Sequence, residues 1–289
     1  MSQTIGTFVP PSFVRNILVT KAGGEQEPFD PQKLDTSLRR AGASPRARQH
    51  IGERVLSELK RDMPTEEIYR RAFDYLKHEE LPAVAARYSI KRAIFALGPS
   101  GFPFEQFLAE IFRAHGWNVR IGVGLTGRCA PHEVDVVAEK GGKRIGIEAK
   151  FHNEPGGKTD IKDALYVHAR YEDLARAPLR SNRIDEGWLV TNTRFTRNAI
   201  RYARCSNLTL LGWDYPRHNN LLTMIEEARV HPLTALTTLS EGEKRRLLEN
   251  KIVLCKSVQT PHLLEEYGVK PRHVADVLEE ARNLCTPLN

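Results

Sequence analysis

The sequence predicts a multidomain protein with an α+β part, an α/β part and a small all-α part, in that order. Three observations predict it. A strand, a turn and a series of helical patterns fill residues 16–97, strand and helix patterns alternate from residue 102 to residue 213, and only short helices follow. The Gly- and Pro-containing stretch at residues 97–101 marks the clearest boundary. We place the three parts at residues 1–98, 99–220 and 221–289, since 289 residues are enough for two or three domains.

Composition excludes several classes of protein. Hydrophobic residues make up 40% and charged residues 27%, as in an ordinary globular protein. No apolar run reaches transmembrane length and no signal-peptide pattern begins the chain, so we predict a cytoplasmic protein with no membrane partner. The four cysteines are scattered singly, which argues against a zinc cluster or a disulfide framework. The net charge of +7 favours a polyanionic partner.

The first part is predicted to be a β-hairpin followed by four helices. Residues 1–15 form an irregular lead-in, and a strand over residues 17–21 comes before a turn over residues 22–27. Asp30 is a good N-cap for a helix over residues 32–41, which Gly42 ends. Three more helices are predicted over residues 45–60, after Thr65 as N-cap, and over residues 84–96.

Several short stretches of this part carry a family resemblance. They are Val19-Thr20-Lys21-Ala22-Gly23-Gly24, Phe29-Asp30-Pro31-Gln32-Lys33, Pro64-Thr65-Glu66-Glu67-Ile68 and Tyr88-Ser89-Ile90-Lys91-Arg92. With the hairpin and four helices, they resemble the ATP-cone, the regulatory nucleotide-binding domain of ribonucleotide reductases and their repressor. The resemblance implies that ATP or dATP binds as a regulatory ligand. The implied nucleotide-binding residues are Lys21, Phe29, Lys33, Thr65, Lys91 and Arg92.

The phosphates of a nucleotide need cations, which Lys21 and Lys33 would supply. The alternative is that both lysines are solvated surface charges. Ala22 departs from the family pattern, which usually has arginine there, so one cation is missing. No G-x-x-x-x-G-K-[ST] motif occurs, so we do not expect nucleotide hydrolysis.

The central part shows the element order α-β-β-β-α-β-α-β. An amphipathic helix that contains Phe104 and Phe107 ends at Gly116, and a strand follows. A hairpin over residues 132–151 comes next, then a helix over 159–177, a strand over 187–191, a helix over 195–204 capped near Thr193, and a strand over 208–213. A mixed sheet with helices on both faces accommodates this order.

The hairpin over residues 132–151 is the candidate active site. Val134, Val136 and Ala138 alternate with polar residues, and Gly141-Gly142 supplies the turn. Strand periodicity places Glu133 and Asp135 on one face of the first strand, and Glu148 and Lys150 on one face of the second.

A divalent cation would explain why carboxylates gather there. Mg²⁺ or Mn²⁺ could be held by Asp135, Glu148 and the carbonyl of Ala149, and Lys150 could orient a bound water or help to remove its proton. The alternative is an edge hairpin with a solvated charged face, because the pattern is short and common.

Motifs around this hairpin carry a second resemblance. They are Phe104-Glu105, Asp135, Glu148-Ala149-Lys150 and Thr191-Asn192-Thr193-Arg194-Phe195-Thr196, with D-x12-E-x-K spacing. Residues 101–215 resemble the PD-(D/E)xK nucleases, and the Mrr-like restriction endonucleases in particular. The resemblance implies catalytic roles for Asp135, Glu148 and Lys150, and suggests that Glu105 reaches the metal site. Surface exposure is the alternative for Glu105.

A set of arginines supports a nucleic-acid substrate. Their spacing of three and four residues predicts one helix face with a guanidinium stripe, which suits phosphate contacts. These arginines are Arg194, Arg197, Arg201 and Arg204. A solvated face is the alternative reading for any one of them. His132 and His152 flank the hairpin, and either could touch substrate or be incidental.

The last part is predicted to be small helices joined by short loops. Ser240 caps the helix over 241–249, Gly268 ends a short one, and residues 271–285 form another. Residues 238–285 weakly resemble helix-hairpin-helix or SAM-like modules, which often hold DNA backbones. This part is nearly neutral, so assembly or support of the central domain is an equal alternative.

The sequence therefore predicts a Mg²⁺-dependent DNA endonuclease that ATP or dATP regulates, and that could form a homo-oligomer. Two alternatives stay open. One is a non-catalytic DNA-binding regulator that senses adenine nucleotides, and the other is a structure-selective or RNA-directed nuclease.

Overall fold

The computed structural model describes residues 17–80 and 82–286. The lead-in predicted at residues 1–15 lies outside the described residues. The predicted mixed multidomain architecture is confirmed: short sheets and helices come first, a larger α/β region follows, and helices end the chain.

The N-terminal region is a small three-stranded sheet with helices. Strand β1 pairs antiparallel with β2 and parallel with β3. Sequence periodicity did not reveal β3, because this strand is only two residues long. Asp30 and Gly42 bound α1 as predicted, with Gly42 in the left-handed conformation (φ 89°). The elements are β1 (Leu18–Thr20), β2 (Gln26–Pro28), α1 (Pro31–Ala41), α2 (Pro45–Glu58), β3 (Met63–Pro64), α3 (Thr65–Glu79), α4 (Pro82–Tyr88) and α5 (Ile90–Phe95).

Two helix predictions in this region are wrong in detail. Thr65 does not cap α3, because it is the first helical residue and Pro64 holds the N-cap position without a side-chain hydrogen bond. The single helix predicted over residues 84–96 is divided at Ser89 into α4 and α5.

The central region contains a five-stranded mixed sheet with the strand order β10-β8-β6-β5-β4. Strands β4, β5 and β6 are antiparallel, whereas β6, β8 and β10 are parallel. A separate pair, β7 and β9, forms a parallel two-stranded sheet. The elements are α6 (Phe102–Ala114), β4 (Asn118–Thr126), β5 (Pro131–Lys140), β6 (Lys143–Lys150), β7 (Lys158–Thr159), α7 (Ile161–Ala175), β8 (Glu186–Thr191), β9 (Arg194–Phe195), α8 (Arg197–Ser206) and β10 (Thr209–Leu211).

Helices cover both faces of this sheet, as predicted. On β8, Trp188 contacts Phe112 of α6, while the neighbouring Leu189 packs in a cluster with residues of α7 and α8. Successive strand residues point to opposite faces, so α6 lies on one face, and α7 and α8 lie on the other. The cap of α8 is Thr196 rather than Thr193, since the Thr196 side chain accepts a hydrogen bond from the Ala199 N–H.

Helix α7 approaches the sheet closely at two paired glycines. Gly146 of β6 and Gly187 of β8 are register partners, and the ring of Tyr171 lies over both. A Cβ atom at either glycine would come within 2.3 Å of that ring. Only glycine therefore permits this seating of α7, which fixes the face of the helix that points toward the end of β6.

The C-terminal elements divide between two compact units. One unit contains the described residues up to Ala93 together with Ala235–Glu243 and the chain from Val258 on, and the other contains Ile94–Thr234 and Lys244–Ser257. The last helices are α9 (Leu221–Ala228), α10 (Glu241–Glu249), α11 (Pro261–Glu266) and α12 (Pro271–Cys285).

Within the first unit, α12 packs against α4. Arg87 of α4 donates hydrogen bonds to the carbonyls of Asn283 and Thr286 at the end of α12. The buried carboxylate of Glu280 accepts from the backbone and hydroxyl groups of Thr237 and Thr238. The Arg87 bonds tie α12 to α4, and the Glu280 bonds tie α12 to the segment that precedes α10.

Candidate active site

The β5–β6 hairpin brings the two predicted carboxylates together. Gly141 and Gly142 close it with positive φ angles of 59° and 79°, as the turn prediction required. Val136 pairs with Ile147, so continuing the register by one residue places Asp135 opposite Glu148. Side chains of facing residues lie on the same side of an antiparallel pair.

Asp135 is anchored by the backbone of the neighbouring strand. Its Oδ2 accepts a hydrogen bond from the N–H of Ala149 at 2.8 Å. Burial raises the pKa of Asp135, and the Ala149 N–H and the nearby Arg170 charge act against that rise. The bond fixes one carboxylate oxygen beside the Ala149 peptide.

Glu148 occupies an equally unfavourable place for a charge. Burial, followed by the charge of Asp135, raises the pKa of Glu148 to about 7, while Arg170 acts in the opposite direction. Two partly buried carboxylates thus face each other with incomplete compensation of their charge.

Arg170 is the cation at this site that sequence reasoning missed. Its guanidinium forms an ion pair with Glu148 and donates to the carbonyl of Glu133 and to the hydroxyl of Tyr166. The one signal in the sequence is the spacing of Tyr166 and Arg170, which places them on one face of a helix. Which β-strand this face meets is decided by tertiary packing.

Glu105 lies near the same carboxylates. Burial raises its pKa to about 7, and the charges of Asp135 and Glu133 contribute. Its neighbours Phe104 and Phe107 are fully buried, as the helix pattern predicted. The first turn of α6 therefore places a third carboxylate within electrostatic reach of Asp135.

Lys150 is turned toward a different acid. Its Nζ lies 2.9 Å from Oδ1 of Asp163, and its side chain is 44% exposed. Asp163 also belongs to the capping box at the start of α7, together with Asp160. The lysine thus stands at the end of β6 as predicted, with its charge held by Asp163.

Other motif positions of the sequence prediction have structural partners. The buried side chain of Asn192 accepts from the N–H of His152 and donates to the His152 carbonyl, so it fixes the chain that leaves β6. His152 bonds Thr159 at 2.9 Å, and His132 bonds Asp173 at 2.8 Å. Both histidines therefore have intramolecular partners near the hairpin.

The donor set at the hairpin fits a hard divalent cation. Among the described residues, no three His, Cys, Asp or Glu side chains are grouped to hold a metal by themselves. Mg²⁺ does not need such a cage, because it retains several waters and is often bound through one or two carboxylates. Burial raises the pKa values of both Asp135 and Glu148, with a further rise from the charge of Glu133 at Asp135 and from the charge of Asp135 at Glu148, and a bound cation would offset these effects. The residues that would hold it are Asp135, Glu148 and Ala149 through its carbonyl.

The predicted arginine stripe is only partly on one helix. Arg194 lies on β9, before α8, and forms an ion pair with Asp214, so its placement on the helix was wrong. The other three arginines are exposed on α8 and line one open groove with Ile200 and Cys205. In the part of the chain that the structure describes, no acidic side chain pairs with these three. They are Arg197, Arg201 and Arg204.

The predicted nucleotide-binding residues lie in the first unit. Lys21 and Lys33 both contact the Glu27 carboxylate, at 2.6 and 3.3 Å, so the structure brings these two cations together. Arg92 pairs with Glu66 and lies over the ring of Tyr69. The remaining positions are dispersed: Phe29 is buried in the core, Thr65 opens α3, and Lys91 lies in α5.

Comparisons with known proteins agree with the motifs. Residues 17–94 match the ATP cone domain, residues 98–215 match the Mrr-type restriction endonuclease domain, and residues 231–285 match the AF1548-like C-terminal domain. An uncharacterized protein from Archaeoglobus fulgidus is 31% identical over 179 residues, which are 61% of this chain and 99% of that protein. The chain belongs to the family of this archaeal protein, the AF1548-like family.

Solved structures give the same relationship. The crystal structure of AF1548, a protein of unknown function, is 30% identical, with a TM-score of 0.54 over 64% of this chain and 98% of the other. The MspJI restriction endonuclease in complex with an oligonucleotide gives a TM-score of 0.33 at 13% identity, over 81% of this chain and 48% of its own, and a similarity of that size supports no inference about this chain.

This member of the AF1548-like family thus combines an ATP cone with a restriction-endonuclease-like domain, and the resemblance predicted from its motifs is confirmed. The similarity of residues 238–285 to helix-hairpin-helix modules stays a prediction. In the described residues, no helix has the length and apolar character that crossing a membrane requires.

Proposed function

We propose that the chain is a DNA endonuclease that hydrolyses phosphodiester bonds with Mg²⁺ or Mn²⁺ at the β5–β6 hairpin. The observation that carries the proposal is the placement of Asp135 and Glu148 on the adjacent strands β5 and β6, where Asp135 accepts from the Ala149 N–H, and burial with the charge of Asp135 raises the pKa of Glu148. Its position within a restriction-endonuclease-like domain supports nucleic acid as the substrate.

The roles of the residues follow from their chemistry. A divalent ion bound here would supply a water of lowered pKa and positive charge next to the phosphate. Asp135 and Glu148 would hold the ion as carboxylates, and the Ala149 N–H keeps Asp135 in place. Lys150 would orient the water or offset the negative charge of the transition state, for which its ammonium would have to leave Asp163. Glu105 lies close enough to Asp135 for the charge of Asp135 to contribute to the raised pKa of Glu105.

DNA would be held by the exposed arginines of α8. Guanidinium groups suit phosphate oxygens, and each phosphate contact adds a salt-dependent, sequence-independent contribution to binding. Arg197, Arg201 and Arg204 line one groove, which supports contact with a continuous backbone.

The ATP cone would regulate this activity by binding ATP or dATP near Lys21 and Lys33. Regulation requires that the nucleotide bind two conformations, or two oligomeric states, with different affinity. In this proposal the three parts at residues 1–98, 99–220 and 221–289 keep the boundaries predicted from the sequence.

A cleavage assay tests the proposed chemistry. The full-length chain is incubated with supercoiled, linear and branched DNA in the presence of Mg²⁺, Mn²⁺ or EDTA. We expect metal-dependent cutting by the wild type and a loss of roughly 10²-fold or more in Asp135→Ala and Lys150→Ala, because each removes a group that acts in the transition state.

Glu139→Ala on β5 and Lys143→Ala on β6 are the matched controls, since each removes a charge from the far end of the same strand. Cutting that survives both Asp135→Ala and Lys150→Ala would exclude this active site.

One observation favours a second candidate function. The Lys150 ammonium, which catalysis would need, is paired with the Asp163 carboxylate. A chain that retains this pair could be a non-catalytic DNA-binding regulator that senses adenine nucleotides. DNA binding without any cutting by the wild type, in either metal, would favour that function.

A further inference from the structure

The guanidinium of Arg170 lies against the carboxylate of Glu148, on the face of α7 that meets the end of β6. We propose that Arg170 is a positioning residue: it holds one oxygen of Glu148 so that the other oxygen faces the divalent cation. The inference rests on the proposed function, since it assigns a role at the same metal site.

Arg170 is itself held firmly. One terminal nitrogen, Nη1, donates to Glu148 Oε2 and to the carbonyl of Glu133, the latter at 3.1 Å. The other, Nη2, donates to the Tyr166 hydroxyl at 2.8 Å, and the guanidinium lies 4.9 Å from the centroid of that ring. The side chain is only 11% exposed. A planar cation with three different anchors has little freedom to follow a moving carboxylate.

The backbone of Arg170 is fixed as well. The next residue, Tyr171, is buried over Gly146 and Gly187, where no side chain but hydrogen would fit. Gly146 lies on β6, the strand that carries Glu148. The position of Arg170 is therefore set relative to the strand that presents the carboxylate, and not by a flexible loop.

The two oxygens of Glu148 are not equivalent. Oε2 accepts from Arg170, whereas Oε1 has no hydrogen bond to any residue in the described part of the chain. Groups that bond the second oxygen of a ligating carboxylate orient it and support metal affinity, and their loss typically weakens affinity by about 10- to 100-fold. In the opposite role, the guanidinium would occupy Glu148 in place of the metal, and loss of Arg170 would strengthen metal binding. The two roles therefore predict changes in metal affinity of opposite sign.

Mn²⁺ binding separates them without any need for catalysis. The full chain, without DNA, is titrated with Mn²⁺ while the free ion is followed by electron paramagnetic resonance, and Asp135→Ala identifies the site as the one that is lost. We expect Arg170→Ala and Arg170→Gln to weaken Mn²⁺ binding at that site by about 10- to 100-fold. Arg170→Lys should recover part of the loss, because an ammonium can still donate to Oε2.

Arg176→Ala is the matched control, since Arg176 is the exposed C-cap residue that follows α7 and pairs with Glu172 of that helix. Thermal unfolding without metal shows whether each variant folds, and Arg170→Gln replaces Arg170→Ala if the latter does not.

Mn²⁺ affinity that is unchanged or higher in both Arg170→Ala and Arg170→Gln overturns the inference, as does a wild type that binds no Mn²⁺ at the Asp135 site. A wild type that binds Mn²⁺ but cuts no DNA refutes the proposed nuclease function while the role of Arg170 toward the metal is still decided by the titration.

Discussion

The carboxylates of the β5–β6 hairpin and the lysines of the ATP cone are both clusters of like charge, but they are compensated differently. At the hairpin, Asp135 and Glu148 are partly buried, and this burial raises both pKa values despite Arg170. In the cone, Lys21 and Lys33 share Glu27, and the bond from Lys21 is the main cause that lowers the pKa of Glu27.

This difference indicates what each cluster can accept. The hairpin has an excess of buried negative charge, which a divalent cation would relieve. The two lysines already have an anionic partner, so a phosphate group must compete with Glu27 for them. We therefore expect metal binding to stabilise the hairpin region strongly, and nucleotide binding to gain less from each lysine.

The largest expected effect concerns the pH dependence of stability in metal-free protein. The pKa of Glu105 is raised from 4.5 to about 7 by burial and by Asp135 and Glu133. The folded protein holds this proton more tightly than the unfolded chain, so stability is full below pH 4.5 and falls as the pH rises toward 7.

Glu105→Gln removes that loss. In EDTA at pH 8, calorimetry should show the variant to be more stable than the wild type by about 1–3 kcal/mol, with the difference vanishing near pH 4.5. Glu110→Gln on the same helix is the control for removal of a carboxylate. A Glu105→Gln variant that is less stable at pH 8 would show that the hairpin charge is better compensated than the geometry indicates.

An intermediate effect is expected for nucleotide binding to the cone. Calorimetric titration with ATP and dATP should give a Kd about tenfold higher for Lys21→Met or Lys33→Met, which corresponds to about 1.4 kcal/mol for the loss of one phosphate contact. Lys77→Met, on the exposed face of α3, is the matched control. If all three variants bind nucleotide as the wild type does, Lys21 and Lys33 are solvated charges. If the wild type itself gives no heat and no thermal shift with nucleotide, Ala22 marks a degenerate site.

The smallest effect is expected from Glu27. Its pKa is lowered, so the ion pairs contribute stability above the ordinary glutamate pKa and lose it as the pH falls. Glu27→Gln should destabilise the first unit by less than about 1 kcal/mol at pH 7, because partly exposed ion pairs are weak. The difference from the wild type should shrink toward pH 4, which is opposite in direction to Glu105→Gln. If Glu27→Gln and Glu105→Gln changed stability in the same direction at neutral pH, the contrast between the two clusters would be refuted.

The sequence predicted most elements that are longer than a few residues. Alternating valines and the Gly141-Gly142 turn are strong strand signals, and Asp30 with Gly42 bounded a helix correctly. Strands β3, β7 and β9 escaped prediction because two residues have no detectable period, and they form only where another strand offers hydrogen bonds.

The site was predicted to a similar extent. Asp135 and Glu148 lie on adjacent strands joined by a short turn, so local geometry alone brings them together. Arg170 and Asp163 come from α7, and their contacts with Glu148 and Lys150 depend on how that helix rests on the sheet. Nothing local in the sequence encodes that placement.

By itself, the sequence determined the two domain resemblances, the longer strands and helices, and the placement of Asp135 and Glu148 on adjacent strands, because periodicity, turns and short motifs are local properties. Tertiary structure alone decided that Tyr171 rests on Gly146 and Gly187, that Arg170 thereby reaches Glu148, and that the C-terminal block divides between two compact units. These features depend on close packing between segments far apart in the chain, and packing of that kind has no signature within any one segment.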